Sequence, residues 1–348
     1  MPRFLFDLVP LPIVLAPMGG APGTPALAAA VSEAGGLGFL AGGYKTASAL
    51  REEIAELRRA TDRPFGVNVF VPQRAPVSGT TVEAYVASLA RAGYEPGKPT
   101  WDDDDWDAKL GALVDERPRV VSFTFGLPPA DVIAALQDLD MRVILTVTTA
   151  DEVDAAAAVS PDALCLQGFE AGAHRGSFDD TRDAANDVGL LALLAAARVR
   201  VGIPLIASGG LMHGRDIAAV LVGGAHAAQL GTAFLRSPEA GTHPVHRAAL
   251  DSPSSRDTAI TRAFSGRRAR GIVNRFMIEH PDTPSAYPQV NNATRPIRNS
   301  AGDRGDAGAM SLWAGQGFRA GRAMRAGELV AALMDECRAA LAGAPALV

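Results

Sequence analysis

Eight short apolar runs recur along the chain, and alanine-rich segments with helical spacing lie between many of them. The runs are IVLAPMGG (13–20), LGFLAGG (37–43), FGVNVFV (65–71), VVSFTFG (120–126), RVILTV (142–147), ALCLQG (163–168), PLIASGG (204–210) and AAQLGTAFL (227–235). Most are apolar throughout rather than alternating, the pattern of strands covered on both faces. Helical patterns include 24–35, 46–60, 129–139, 149–160 and 214–224. Thr24 before Pro25, and Thr149 with Glu152 three residues on, read as helix starts. Eight such units predict a (β/α)8 TIM barrel in preference to a doubly wound sheet.

Two stretches exceed the repeat. Residues 72–117 form a long excursion after the third strand, and residues 236–311 follow the eighth. The expected organisation is a barrel over 1–235 and 312–348 with a small lid or substrate domain over 236–311. The pattern 311–342 is expected to return as the last barrel helix. WDDDDWDAKL (101–110) reads as a solvated loop charging a helix N-terminus, because four adjacent aspartates cannot converge on one ion.

Composition narrows the class. At 348 residues, 48% hydrophobic and 20% charged, the chain is expected to be globular, and its net charge of −5 argues against a nucleic-acid partner. The arginine-rich TRAFSGRRARG (261–271) reads as a solvated or domain-docking segment. Two distant cysteines, Cys165 and Cys337, make no disulfide framework or metal spacing. No run reaches transmembrane length, and the N-terminal stretch lacks a signal-peptide core, so no membrane partner and a cytoplasmic location are expected.

Candidate chemistry gathers at the strand C-termini, where barrel enzymes build their sites. GLGFLA (36–41) matches a dinucleotide pattern, but a helix precedes it and the strand begins within it, so that reading is discarded. SGG (208–210) and QLGTAF (229–234) place Gly209, Gly210, Gln229, Gly231 and Thr232 at adjacent strand ends, suited to a phosphate. Met18 offers a soft contact, Asn68 and Gln167 offer amides, and Thr124 and Thr146 offer milder polarity. A phosphorylated planar cofactor with hydrogen-bonding edges fits this mouth. Flavin mononucleotide (FMN) fits better than pyridoxal phosphate, because Lys45, Lys98 and Lys109, the only lysines, lie at no predicted strand end. His243 and His246 read as a helix-start or loop pair, His213 as a helix start and His226 as structural. No metal site is expected.

APMGGAPGTPALAAAVSEAGGLGFLAGGY (16–44), GVNVF (66–70), SFTFGLP (122–128), QGFEAGAHRG (167–176), SGGLMHGRDIAAVLVGGAHAAQLGTAFL (208–235), SAYPQVNN (285–292) and WAGQG (313–317) together resemble the nitronate monooxygenase family. The resemblance implies an FMN-binding barrel with a small second domain. It also implies oxidation of alkyl nitronates, propionate 3-nitronate among them, by O2 to a carbonyl compound and nitrite, a detoxifying reaction. Asn68, Gln167, Gly172, Gly210, Gln229, Gly231 and Thr232 match its flavin-contacting positions, and His174 its active-site histidine. Thr124 stands where one branch has histidine, and Asn291 and Arg295 where that branch has tyrosine and lysine. Thr124 and Tyr287 are the candidate substrate contacts.

His174 is expected to act as a base or a hydrogen-bonding clamp, its ordinary pKa allowing either. Arg175 is expected to pair with Glu170, and Glu170 to anchor the loop. The alternative activity is FMN-dependent reduction by NAD(P)H of a quinone or enoyl thioester. A non-redox barrel using the same phosphate corner is the third reading.

Overall fold

The computed structural model describes residues 7–73, 80–181 and 187–343; the rest of the N-terminal stretch and of the two expected domains lies outside them. Its strands are β1 (Ile13–Leu15), β2 (Gly38–Ala41), β3 (Phe65–Phe70), β4 (Val120–Thr124), β5 (Arg142–Val147), β6 (Ala163–Gln167), β7 (Ala173–His174), β8 (Leu205–Ser208), β9 (Ala227–Leu230), β10 (Thr258–Thr261) and β11 (Ala269–Ile272). Eight of them form one parallel sheet in the order β1-β9-β8-β6-β5-β4-β3-β2. A parallel bridge between Val14 and Leu37 joins its ends, with the Leu15 amide donating to the Leu37 carbonyl at 2.9 Å. The expected TIM barrel is therefore closed, and each of the eight predicted runs supplies one of its strands.

Inward positions explain why these strands look apolar yet carry single polar residues. Val14, Phe39, Val120, Ile144, Cys165, Ile206 and Ala227 fill the barrel interior. Two residues further along the same strands stand Ser122, Thr146, Gln167, Ser208 and Gln229. Because side chains alternate faces with a period of two, these polar groups share the inward face at the C-terminal end. The barrel is thus plugged by hydrocarbon below and lined by hydrogen-bonding groups above. Gly66 belongs to the lower layer, where an added Cβ would lie 2.3 Å from the Phe39 ring.

Helices pack outside as the pattern predicts. Thr24 Oγ1 accepts the Leu27 amide at 3.0 Å and Thr149 Oγ1 the Glu152 amide at 3.2 Å, so both threonines cap helices (Pro25–Glu33 and Ala150–Ala157). His213 and His243 cap helices too, and His226 accepts the Leu205 amide. The last helix begins only at Ala326 and runs to Gly343. Residues 311–325 are not helical as expected: Trp313 bridges Gly271, and Phe318–Ala320 forms a single 3-10 turn. The segment instead lies close against neighbouring backbone, since a Cβ on Gly317 would sit 3.0 Å from the Gly210 carbonyl oxygen and one on Gly315 2.9 Å from that of Glu170.

The two extra stretches interlock. In the first, Thr80–Arg91 and Trp106–Glu116 are helices. Val82, Tyr85 and Leu89 of the former share one apolar cluster with Phe264, Phe276, Val290 and Ile297 from the stretch after β9. That later stretch also supplies β10 and β11, which pair antiparallel, and β7 joins β11 as a third strand through His174–Ala269 register. The acidic run leads into the Trp106–Glu116 helix as expected, with Asp102, Asp103 and Asp105 exposed, but it is also tied to its neighbours. Asp104 accepts the Tyr44 amide at 2.8 Å and lies 2.7 Å from fully buried Lys109 Nζ, while Asp105 accepts the Ala47 amide at 2.7 Å. The aspartates tie the β2 loop to the excursion because a buried ammonium needs a carboxylate partner. Both cysteines are free and buried.

Candidate active site

A cavity of about 490 Å³ opens at the C-terminal end of the barrel. Met18, Asn68, Thr124, Gln167, Gly172, His174, Gly209, Gly210, Gln229, Gly231 and Thr232 all border it, so the structure brings the sequence-predicted residues together. Tyr287 is the exception: it packs behind the wall, its ring 5.8 Å from that of His174. A second hollow of about 550 Å³ lies beside Arg58, Arg63 and Arg119, near the N-terminal ends of β3 and β4 and away from these groups.

The floor is built from the inward polar layer. Asn68 Nδ2 donates to Ser122 Oγ at 2.9 Å and Thr124 Oγ1 at 3.0 Å, so this buried amide is held rigidly between β3 and β4. At the β8 and β9 ends, the amides of Gly209, Gly210, Gly231 and Thr232 donate to no acceptor among the described residues. Gly209 and Gly210 have φ of 123° and 73°, conformations that leave their backbone open to an anion. Thr232 Oγ1 is engaged by the Gly315 amide at 3.0 Å, which draws the irregular 311–325 segment over this corner.

The glycine-rich loop after β6 is held by its own polar groups. Gln167 Nε2 donates to the His174 carbonyl at 2.9 Å, and its Oε1 accepts the Gly176 amide at 2.8 Å. Gln167 therefore shapes the loop as well as bordering the cavity. Arg175 does not pair with Glu170 as expected. Its Nη1 donates to the Gln167 and Gly168 carbonyls, while both Glu170 oxygens receive the Leu190 amide at the start of the Leu190–Arg198 helix. Glu170 is thus the loop anchor. Gly172 has no room for a side chain: a Cβ would stand 2.5 Å from the Gly315 nitrogen.

His174 emerges from this loop into an aromatic enclosure of Phe125, Tyr287, Trp313 and Tyr44, whose ring centroids lie 5.5–6.4 Å from its own. Its Nε2 is 2.8 Å from Ser265 Oγ. With the Ser265 hydroxyl donating to the Arg267 carbonyl at 3.0 Å, Nε2–H donates to Ser265 and the lone pair is left on Nδ1, a tautomer assigned from the network. Burial, followed by the nearby Arg267 and Arg298 charges, lowers the His174 pKa to about 3. The imidazole is neutral. Burial likewise raises the Tyr44 phenol to about 12, so it stays protonated.

The arginine-rich segment docks rather than being solvated. Arg267 is 1% exposed, stacks 4.0 Å over Phe125, and donates to the Arg175 and Ser177 carbonyls and to Gln73. Ser265, Arg267 and, of the aromatic enclosure, Tyr44, Phe125 and Trp313 are residues that sequence reasoning missed as site components. Among the described residues no group of three or more His, Cys, Asp or Glu is placed to hold a metal, and no helix is long and apolar enough to cross a membrane.

The comparisons agree with this geometry. A nitronate monooxygenase family model matches residues 3–336. A nitronate monooxygenase of Pseudomonas aeruginosa is 41% identical, the match covering 94% of this chain and 96% of that protein. The structure of nitroalkane oxidase from Streptomyces ansochromogenes superposes with a TM-score of 0.95 at 50% identity, covering 98% and 99% of the two chains. FabK from Thermotoga maritima superposes at 0.78 with 29% identity over 99% and 98%. A barrel oxidoreductase whose matched length takes in both the mouth and the His174 loop, this chain belongs to the nitronate monooxygenase family.

Proposed function

We propose that the protein holds FMN in the barrel mouth and oxidises alkyl nitronates with O2 to a carbonyl compound and nitrite. Propionate 3-nitronate is a candidate substrate. The observation that carries this reading is a neutral histidine bordering a cavity with aromatic walls that also contains unpaired backbone donors and cationic side chains. The residues fit the cofactor. Free amides at Gly209, Gly210, Gly231 and Thr232 suit its phosphate, and Asn68 and Gln229 offer amides where a ring edge would lie. Bound there, the flavin would supply the electron-accepting ring and the reaction with O2.

The protein's own residues do the rest. The aromatic enclosure excludes bulk water, and Gly172 lets the loop lie against the 311–325 segment. A preformed nitronate needs no proton removed. For the parent nitroalkane, Nδ1 of His174 accepts the α-proton, and the negative charge left on the substrate raises the imidazole's hold on it. A base so placed contributes roughly 10²–10⁴ in rate. The test is aerobic turnover of the purified protein with ethyl nitronate, following oxygen uptake and nitrite. Oxygen-dependent nitrite release is expected; a flavin-loaded protein that releases none would sink the proposal.

A further inference from the structure

The cavity wall opposite the barrel comes from the helix Gln289–Asp303. Asn291, Arg295, Arg298 and Asn299 of this helix border the cavity, and their spacing places them on one face. Two arginines three residues apart repel each other unless something negative lies near. Arg298 Nη2 is held by the Asn291 carbonyl at 2.8 Å and by Asn291 Oδ1 at 2.9 Å, both neutral acceptors. Its Nε is enclosed and has no partner. No carboxylate pairs with Arg298 among the described residues; the groups acting on it are the Tyr44 and Tyr287 phenols and Arg295. The head group sits deep among protein atoms while the side chain keeps some exposure toward the cavity. A desolvated guanidinium without a counter-charge is costly, and an anion at its free edge offsets that cost.

We infer that Arg298 is a substrate-binding residue that holds the anionic oxygens of the nitronate, with Asn291 setting the guanidinium's orientation, across the cavity from His174. The inference rests on the nitronate reading. The two groups divide the work: His174, uncharged, attends the carbon end, and Arg298 carries the positive charge that an incoming anion meets. Arg298 thereby gives the site a preference for the nitronate over its neutral nitroalkane, because only the former brings a full negative charge. With Nη2 committed to Asn291 and Nε enclosed, the N–H groups of Nη1 are the donors left for a nitronate oxygen.

The test uses the holoenzyme and the Arg298→Met variant, with ethyl nitronate and nitroethane as the probes and the flavin-to-protein ratio measured alongside. The expected result is an unchanged ratio and a loss of roughly 10- to 100-fold in kcat/KM for the nitronate, the range for a hydrogen bond to a charged group. The loss should fall mainly on KM, with a smaller change for nitroethane. Arg298→Gln, which keeps a hydrogen-bonding amide, carries the same expectation should the Met variant fail to fold. Unchanged nitronate kinetics, equal losses on both probes, or lost flavin (which would assign Arg298 to the cofactor) each overturn the inference. Wild-type protein that fails to turn over the nitronate at all would instead overturn the nitronate reading.

Discussion

A histidine kept neutral by burial makes stability depend on pH in a way that can be worked out from the site. Unfolded, His174 titrates near 6.5; folded, at about 3. Between these values the unfolded chain takes up a proton that the folded protein refuses, so stability is flat above 6.5 and falls as the pH drops toward 3. Each unit in that window costs about 1.4 kcal/mol, so acidification from neutrality to about pH 4.5 removes about 3 kcal/mol through this residue. His246, lowered to about 4 by burial first, acts in the same direction, so wild type alone does not isolate the effect. Urea unfolding of wild type and His174→Asn, both in the same cofactor state, at pH 7 and about pH 4.5 does. Wild type should lose about 3 kcal/mol more than the variant. Parallel losses would show that His174 is not held neutral, and the argument from burial would fall. The same burial predicts that kcat/KM shows no inflection near 6.5, since that ratio reports the free enzyme's titration.

His174→Asn should retain its flavin yet lose most turnover of nitroethane, whose α-proton the imidazole removes; unchanged nitroethane turnover would make His174 a structural residue. Gly172→Ala forces a methyl against the Gly315 nitrogen and the Ala314 carbonyl, backbone that cannot swing aside. It should cost about 1–3 kcal/mol in overpacking and lower the flavin content, read by thermal unfolding and absorbance. Full flavin content with an unshifted melting temperature would show that the loop does not depend on that contact.

The barrel was legible because eight apolar runs alternate with helical patterns, and six of its strands turn polar on the inward face near their C-terminal ends. Asn68 stands out in GVNVF for that reason, and the β8 and β9 glycines for their place at strand ends. His174 was legible because its neighbours are too small to pack. Less legible was whatever depends on distant segments meeting. Tyr44, Phe125 and Trp313 read singly as ordinary apolar residues, and only the closed fold brings them around one imidazole. The two-residue strand β7 has no periodicity to detect, since its partner β11 lies about a hundred residues away. The arginines of 267–270 look solvated by composition, yet carbonyl groups of the β6 loop accept their N–H groups. Arg298 gave no local sign, because what marks it is the carboxylate it lacks.

The most direct test of the central claim is anaerobic mixing of the yellow protein with propionate 3-nitronate and, separately, with NADH or NADPH, following the flavin spectrum. The account predicts a rapid spectral change with the nitronate. A change produced by nicotinamide alone, with the nitronate inert, would contradict it and make the protein a reductase built on the same barrel.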